Sequence, residues 1–242
     1  MADPVFLSVV MPVYNEEKCI RESLRRIEAF LSLKGLPWEV LVSSDGSTDG
    51  TDTAVRSFIQ EKEGRQSRVR LLSSAGNKGK GDAVRRGVLA AEGKFILLTD
   101  ADLSAPIKES DKLIAELESG ADVAIGSRAM REKGCDVQQT LKRRLAGRVF
   151  NALVRAVALK GIRDTQCGFK CFKKEAARDL FAAQTLDGFS FDVEILYLAK
   201  KKGYQIKETA VMWKEGADSR VRLFRDSLRM AKDLFIIRKR HG

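Results

Sequence analysis

Short apolar runs alternate with segments of helical period through the first half of the chain, and that alternation constrains the fold more than any other feature. Phe6–Pro12, Trp38–Ser44, Val69–Ser73 and Phe95–Thr99 read as strands, while Glu16–Leu33, Thr51–Glu63 and Gly81–Ala91 read as helices. Strands that are apolar throughout are buried on both faces, so the pattern predicts an α/β fold: a mainly parallel, Rossmann-like sheet covered by helices. Ligands of such sheets bind beyond the carboxyl ends of the strands. The polar clusters fall there: Tyr14-Asn15-Glu16, then Asp45–Thr51, Gly76–Gly81 and Asp100-Ala101-Asp102.

The second half has a further strand, Asp122–Gly126, and two basic amphipathic segments. Leu141–Lys160 carries six basic residues and no acidic one, with Leu141, Leu145, Val149, Ala152 and Ala156 on one stripe. In Ser219–Arg240 the stripe is Val221, Phe224, Leu228, Ala231 and Phe235, with Arg222, Arg225, Arg229 and Lys232 on another face. Up to Gly120 there are 17 basic and 19 acidic residues; after it there are 27 and 14, so the net charge of +11 belongs to the second half. Such a surface suits an anionic partner, a nucleic acid or an acidic membrane leaflet. The cations ride on amphipathic helices, and no RNP, helix-turn-helix or zinc motif occurs, so the membrane is favoured and no nucleic acid is expected.

At 242 residues, 44% of them hydrophobic, the chain can build its own core. It has no apolar run near the ~18 residues needed to cross a bilayer and no signal-peptide pattern, so a peripheral protein at the cytoplasmic membrane face is expected. Cys19, Cys135, Cys167 and Cys171 lack C-x-x-C spacing and the only histidine is His241, which disfavours zinc and leaves four free thiols without a catalytic role.

Two carboxylates at i and i+2 directly after a buried strand suit a hard divalent ion, Mg²⁺ or Mn²⁺, which prefers oxygen ligands and keeps places for phosphate oxygens. Asp45 stands at a strand end where a carboxylate can accept a base N–H. Asp49 or Thr51 suits the N-cap of the following helix. Asn77-Lys78-Gly79-Lys80-Gly81 opens a helix with two cations and with glycines that admit a ligand, and the helix N-terminus offers amides to an anion.

In order along the first half, Pro12-Val-Tyr-Asn-Glu16, Asp45-Gly-Ser-Thr-Asp-Gly-Thr51, Gly76-Asn-Lys-Gly-Lys-Gly81 and Thr99-Asp-Ala-Asp102 resemble the inverting family 2 glycosyltransferases of the GT-A fold. That resemblance implies that Pro12, Tyr14 and Glu16 border base and ribose and that Asp45 binds the base. Lys80 and Ala101 would join the nucleotide-sugar site, and Asp102 would lead metal binding beside Asp100. In the second half, Gly126-Ser-Arg128, Arg143-Arg144, Asp164-Thr-Gln-Cys-Gly-Phe169 and Gly188-Phe-Ser-Phe-Asp-Val-Glu194 are similar to the polyprenyl-phosphate glycosyltransferases. Within them the dolichyl-phosphate β-glucosyltransferase branch, with dolichyl-phosphate mannose synthase beside it, is the nearest pattern, and Trp213 with Ser219-Arg220-Val221 matches that branch's tail. The mannose synthases often have Gln where this chain has Ser104.

The resemblance implies transfer of a hexose from a nucleotide-sugar, a UDP-sugar in preference to GDP-mannose, to a polyprenyl phosphate. A lipid phosphate arrives as an anion, with a second pKa of about 6, and needs cations rather than a general base. Arginine binds phosphate oxygens with its planar fork, so Arg128 and Arg143, with Arg144 or Arg220, are expected to hold the acceptor. Gln166, Asp192 and Glu194 are assigned to sugar recognition or to orienting the arginines. A family 2 enzyme acting on a sugar hydroxyl in polysaccharide assembly is the alternative. Residues 1–218 are expected to form the catalytic domain, with a donor half at 1–120 and an acceptor half at 121–218, and 219–242 a basic helix at the membrane interface.

Overall fold

The computed structural model describes residues 4–61, 68–130, 134–138, 140, 154, 159, 161–215 and 223–242, with side chains of the last range from 230 onward. The expected alternation forms β1 (Leu7–Val13), α1 (Ile20–Leu33), β2 (Trp38–Ser44), α2 (Thr51–Gln60), β3 (Val69–Ser73), α3 (Lys80–Ala90) and β4 (Phe95–Leu98). It continues through α4 (Ser110–Glu118), β5 (Val123–Ser127), β6 (Val137–Gln138), β7 (Lys170–Lys173), α5 (Lys174–Ala182), α6 (Phe191–Lys201), β8 (Ile206–Ala210), β9 (Trp213–Lys214) and α7 (Leu223–His241). The first helix starts at Ile20 rather than Glu16, because hydrogen bonds hold the loop before it to the loop after β2.

Seven strands form one sheet in the order β3-β2-β1-β4-β7-β5-β8. All pairs are parallel except those of β7, which runs antiparallel between β4 and β5. Alternating side chains on each strand enter two cores. Val9, Met11 and Val13 meet α1, α2 and α4 through Leu24, Ile27, Phe58 and Leu113. Val10, Ile96 and Phe172 face α3, α5, α6 and α7 through Val84, Phe181, Leu196 and Leu234. Helix α3 lies so close to the sheet that a Cβ on Gly87 would stand 2.4 Å from Val10 Cγ1.

The sequence reading did not distinguish β7, β8, α4, α5 and α6. Strand β7 is only four residues long and carries two lysines, so it has neither strand period nor apolar continuity. The basic segment Leu141–Lys160 lies outside the described residues apart from the buried Val154 and Leu159. Of the stripe expected along α7, Val221, Phe224 and Leu228 lie outside the described side chains and Ala231 is half-buried; Phe235 is corrected, being 67% exposed while Met230, Leu234 and Ile237 are buried. Positions 230, 234 and 237 have the same helical spacing one residue out of phase, about 100° around the axis. The face that carries Met230, Leu234 and Ile237 joins the second core, and the Phe235 ring points away from it. Among the described residues no helix is long and apolar enough to cross a membrane.

Replacing Gly87 by alanine should lower stability by about 1–3 kcal/mol through overpacking against Val10. A denaturant midpoint unchanged by Gly87→Ala would contradict the close seating of α3.

Candidate active site

The rim at the carboxyl ends of β1 and β2 is held together by short polar contacts. Asn15, at φ 53°, accepts through its side-chain carbonyl from Thr48 N at 2.7 Å and Asp49 N at 3.3 Å. Glu16 N donates to Thr51 Oγ1 at 2.7 Å, and Asp49 Oδ1 accepts from Thr51 N at 3.0 Å. The N-cap expected at Asp49 or Thr51 is corrected: Gly50 takes that position, Thr51 is the first helical residue, and Asp49 accepts its amide from one residue farther out. Pro12, Tyr14 and Glu16 are half-buried along this rim.

Asp45 is buried and its two oxygens accept the amides of Lys78 at 2.8 Å and Gly79 at 2.9 Å. The carboxylate therefore shapes the turn that opens α3. Just beyond, Gly81 N and Asp82 N donate to Asp187 O at 2.7 and 3.3 Å. Of the amides that the start of α3 was expected to offer an anion, these two are thus engaged within the protein. Of the turn's two cations Lys78 is exposed, while Lys80 Nζ lies 2.6 Å from Asp100 Oδ1.

Asp100 is seated against Gly168, where a Cβ would come within 2.4 Å of Oδ2. The glycine of the Asp164–Phe169 motif is thus a cradle for the first carboxylate of the triplet. Burial works to raise the pKa of Asp100, but the Lys80 ammonium, with Lys170 and Arg128 behind it, holds it below the ordinary carboxylate value. Burial likewise opposes charge on Lys80, yet Asp100, joined by Asp192 and Asp102, raises its pKa. Both stay ionised at neutral pH. Ala101 is buried, and its carbonyl accepts from Ser23 Oγ at 2.6 Å. Leu103 sits at φ 50°, a conformation that costs an L-residue about 1–2 kcal/mol. Asp102 is exposed, and its oxygens accept from Ser104 N at 2.9 Å and Ser104 Oγ at 2.8 Å, which fixes the carboxylate's direction.

Arg128 is bound bidentately by Asp164, at 2.7 Å from Nε and 2.9 Å from Nη2, and its guanidinium lies 5.3 Å from the Trp213 ring centre. Burial raises the pKa of Asp164, and the Arg128 charge and hydrogen bonds overcome this and lower it. Arg143, Arg144 and Arg220 lie outside the described residues. Gln166 reaches Met230 Sδ of α7 at 3.7 Å. Asp192 is buried and paired with Lys170 at 2.5 Å. Glu194 is fully buried; Thr185 N and Oγ1, Leu186 N and His241 Nε2 surround its carboxylate at 2.6–3.0 Å. The expectation that Glu194 touches a sugar or orients the arginines is corrected: a carboxylate without exposure and with four donors around it serves the backbone.

Sequence reasoning missed Gly168, Lys170 and Asp164 as members of this cluster. Only the motif containing Gly168 and Asp164 carried a signal. Lys170 looked like any strand lysine until burial and its partner Asp192 set it apart. Cys167 and Cys171 are buried and all four cysteines are unpaired, as expected. Burial pushes the Cys167 thiol up to about 11, which keeps it protonated.

Asp164→Asn should destabilise the fold by about 1–3 kcal/mol at pH 7 by leaving the half-buried Arg128 without its counter-ion and bidentate partner. The pKa of Asp164 is lower in the folded state than its ordinary 3.8, so its contribution is complete well above pH 4 and fades as pH falls through the folded value. Urea midpoints of wild type and variant should therefore converge in acid. A gap that is constant down to about pH 2 would exclude the ion pair as its origin.

The model of the family described as Glycosyl transferase family 2 matches residues 8–181. The dolichyl-phosphate β-glucosyltransferase of Drosophila melanogaster is 40% identical over 242 residues, covering 96% of this chain and 74% of that protein. That of Dictyostelium discoideum is 36% identical, covering 99% and 76%. Among solved structures, glucosyl-3-phosphoglycerate synthase from Mycobacterium tuberculosis in complex with Mn²⁺, UDP and phosphoglyceric acid superimposes with a TM-score of 0.71 at 19% identity, over 98% of this chain and 79% of that one. The sheet order and the loops gathered at its rim are thus those of the GT-A fold. The chain belongs to glycosyl transferase family 2, alongside the dolichyl-phosphate β-glucosyltransferases, and is a glycosyltransferase.

Proposed function

We propose that this enzyme transfers glucose from UDP-glucose to a polyprenyl phosphate of the dolichyl or undecaprenyl type, with inversion, at the cytoplasmic face of a membrane. The relatives' names support the sugar and the lipid phosphate, and the structural neighbours described with UDP support the base. One observation carries the choice of acceptor. The carboxylates behind the triplet are engaged, Asp164 by Arg128, Asp192 by Lys170 and Glu194 by the loop at Thr185. None of these three is placed as a general base for a sugar hydroxyl, and a phosphate acceptor does not require one.

In this reading Tyr14, Pro12 and Glu16 flank the base and ribose. Asp45, each of whose oxygens retains an acceptor site beside its amide bond, takes the base N–H. Lys80 turns from Asp100 toward the donor diphosphate. Arg128, with its guanidinium oriented by Asp164 and Trp213, meets the acceptor phosphate together with Arg143, Arg144 and Arg220.

The triplet fits a hard cation: Asp102 is exposed and held by Ser104, Asp100 is cradled by Gly168, and both offer only oxygen. Among the described residues no three metal-ligating side chains gather, which suits an ion that draws the rest of its shell from phosphate and water. Asp102 with Asp100 would hold Mg²⁺ or Mn²⁺, and the bound ion would supply charge stabilisation to the departing diphosphate. The lipid acceptor accounts for the outer face of α7, where Phe235 and Ile236 are exposed beside Lys232, Arg238, Lys239 and Arg240. Such a face suits an anionic bilayer.

Incubation with labelled UDP-glucose, Mn²⁺ and dolichyl phosphate in detergent should give an organic-extractable labelled lipid. Asp102→Ala should reduce its formation by at least about a hundredfold, the scale of losing a principal electrostatic contact in a transition state. A product formed only with a glycan acceptor would overturn the proposal.

A further inference from the structure

Lys80 is clamped from two sides. Asp45 takes the amides just before it, and the loop between α5 and α6 takes those just after it: Asp187 O accepts Gly81 N and Asp82 N, while Gln184 Nε2 donates to Gly81 O at 3.0 Å and to Leu186 O at 2.7 Å. The loop lies flush on the turn. A Cβ on Gly79 would stand 2.3 Å from Asp187 O, and one on Gly81 would stand 2.5 Å from Leu186 O. The two glycines therefore exist for this backbone contact as much as for any ligand.

Leu186 and Phe189 of the loop pack against the second core, while Thr185 and Asp187 are exposed. The loop's backbone at Thr185 and Leu186 is held by Glu194, the first-turn carboxylate of α6. One oxygen accepts Thr185 N and Oγ1 at 3.0 and 2.6 Å, and the other accepts Leu186 N at 2.9 Å. A carboxylate only accepts, so the His241 Nε2 at 2.8 Å from Oε1 is the donor of a further bond. Arg240 Nη1 meets Thr185 O at 3.5 Å. A continuous set of polar contacts thus runs from the last turn of α7 through Glu194 and the loop to the Lys80 turn and Asp100.

We infer that Glu194 and Gln184 are positioning residues for the Lys80 ammonium, and that His241 supports them from the C-terminal helix. The inference rests on the proposed contact between Lys80 and the donor diphosphate. It assigns the Phe-Asp-Val-Glu194 segment to the donor side of the site, acting through backbone, instead of to the sugar. The same helix that carries the exposed Phe235 and its neighbouring cations is thereby wired to the nucleotide pocket.

Binding of UDP and of uridine, measured by calorimetry in EDTA, separates positioning from general stability, because the brace acts only on the diphosphate. Wild type should prefer UDP, and Lys80→Ala should lose that preference; a preference intact in Lys80→Ala would refute the role of Lys80, and the inference with it. Glu194→Gln and Gln184→Met should each weaken UDP by about tenfold, the scale of one or two lost hydrogen bonds, and change uridine by less than about twofold. His241→Ala should weaken UDP by about threefold, with His241→Gln, which keeps an N–H donor, close to wild type. If Glu194→Gln does not fold, Gln184→Met and the His241 pair carry the test. Equal losses for UDP and uridine, or UDP affinity unchanged with Lys80→Ala behaving as expected, would overturn the positioning role while leaving the proposed reaction intact.

Discussion

The ion pair between Lys80 and Asp100 is the contact on which the rest of the site depends. Each partner comes from the carboxyl edge of the sheet: Asp100 from the end of β4, Lys80 from the turn between β3 and α3. Both side chains are half-buried, and each favours the other's ionised form: Asp100 raises the pKa of Lys80, and Lys80 lowers that of Asp100. The pair also explains why the sheet order matters. Strand β7, inserted antiparallel beside β4, begins at Lys170, and Gly168 just before it sits against Asp100, so a segment from the second half of the chain backs the triplet.

Charge is layered around that contact. Arg128 with Asp164 and Lys170 with Asp192 are buried or nearly so, and each pair is joined by hydrogen bonds. Buried pairs of this kind are weak sources of stability, since desolvation offsets much of the attraction. Their value here is directional: they fix where positive potential stands behind the triplet without leaving a carboxylate unengaged. In the proposed reaction such a site suits substrates that bring their own negative charge, a diphosphate on one side and a phosphate on the other.

The first half of the fold was legible because it is periodic. Apolar strands and amphipathic helices alternate there, and each strand ends in polar residues that have no reason to be clustered except at a shared rim. The triplet, Asp45 and Lys80 were legible for the same reason. The second half was not, because its elements are short and their signals are tertiary. Lys170 becomes meaningful only when β7 is seen to bury it, and Gly168 only when Asp100 is found where its Cβ would be. Glu194 misled because acidity in a motif was read as ligand contact, whereas zero exposure and neighbouring backbone amides decide its role. The helical stripe in α7 misled by one residue, since Phe235 and Leu234 satisfy the same spacing on adjacent faces.

In the proposed reaction Lys80 exchanges one anion, Asp100, for another, the donor diphosphate. The measurement that tests it most directly is a crystal structure with UDP and Mn²⁺ bound. Lys80 Nζ should then lie within hydrogen-bond distance of a diphosphate oxygen, with the metal on Asp102 and Gly168 still against Asp100. A diphosphate bound elsewhere along the rim, with the Lys80–Asp100 pair unchanged at its present 2.6 Å, would rule out that exchange.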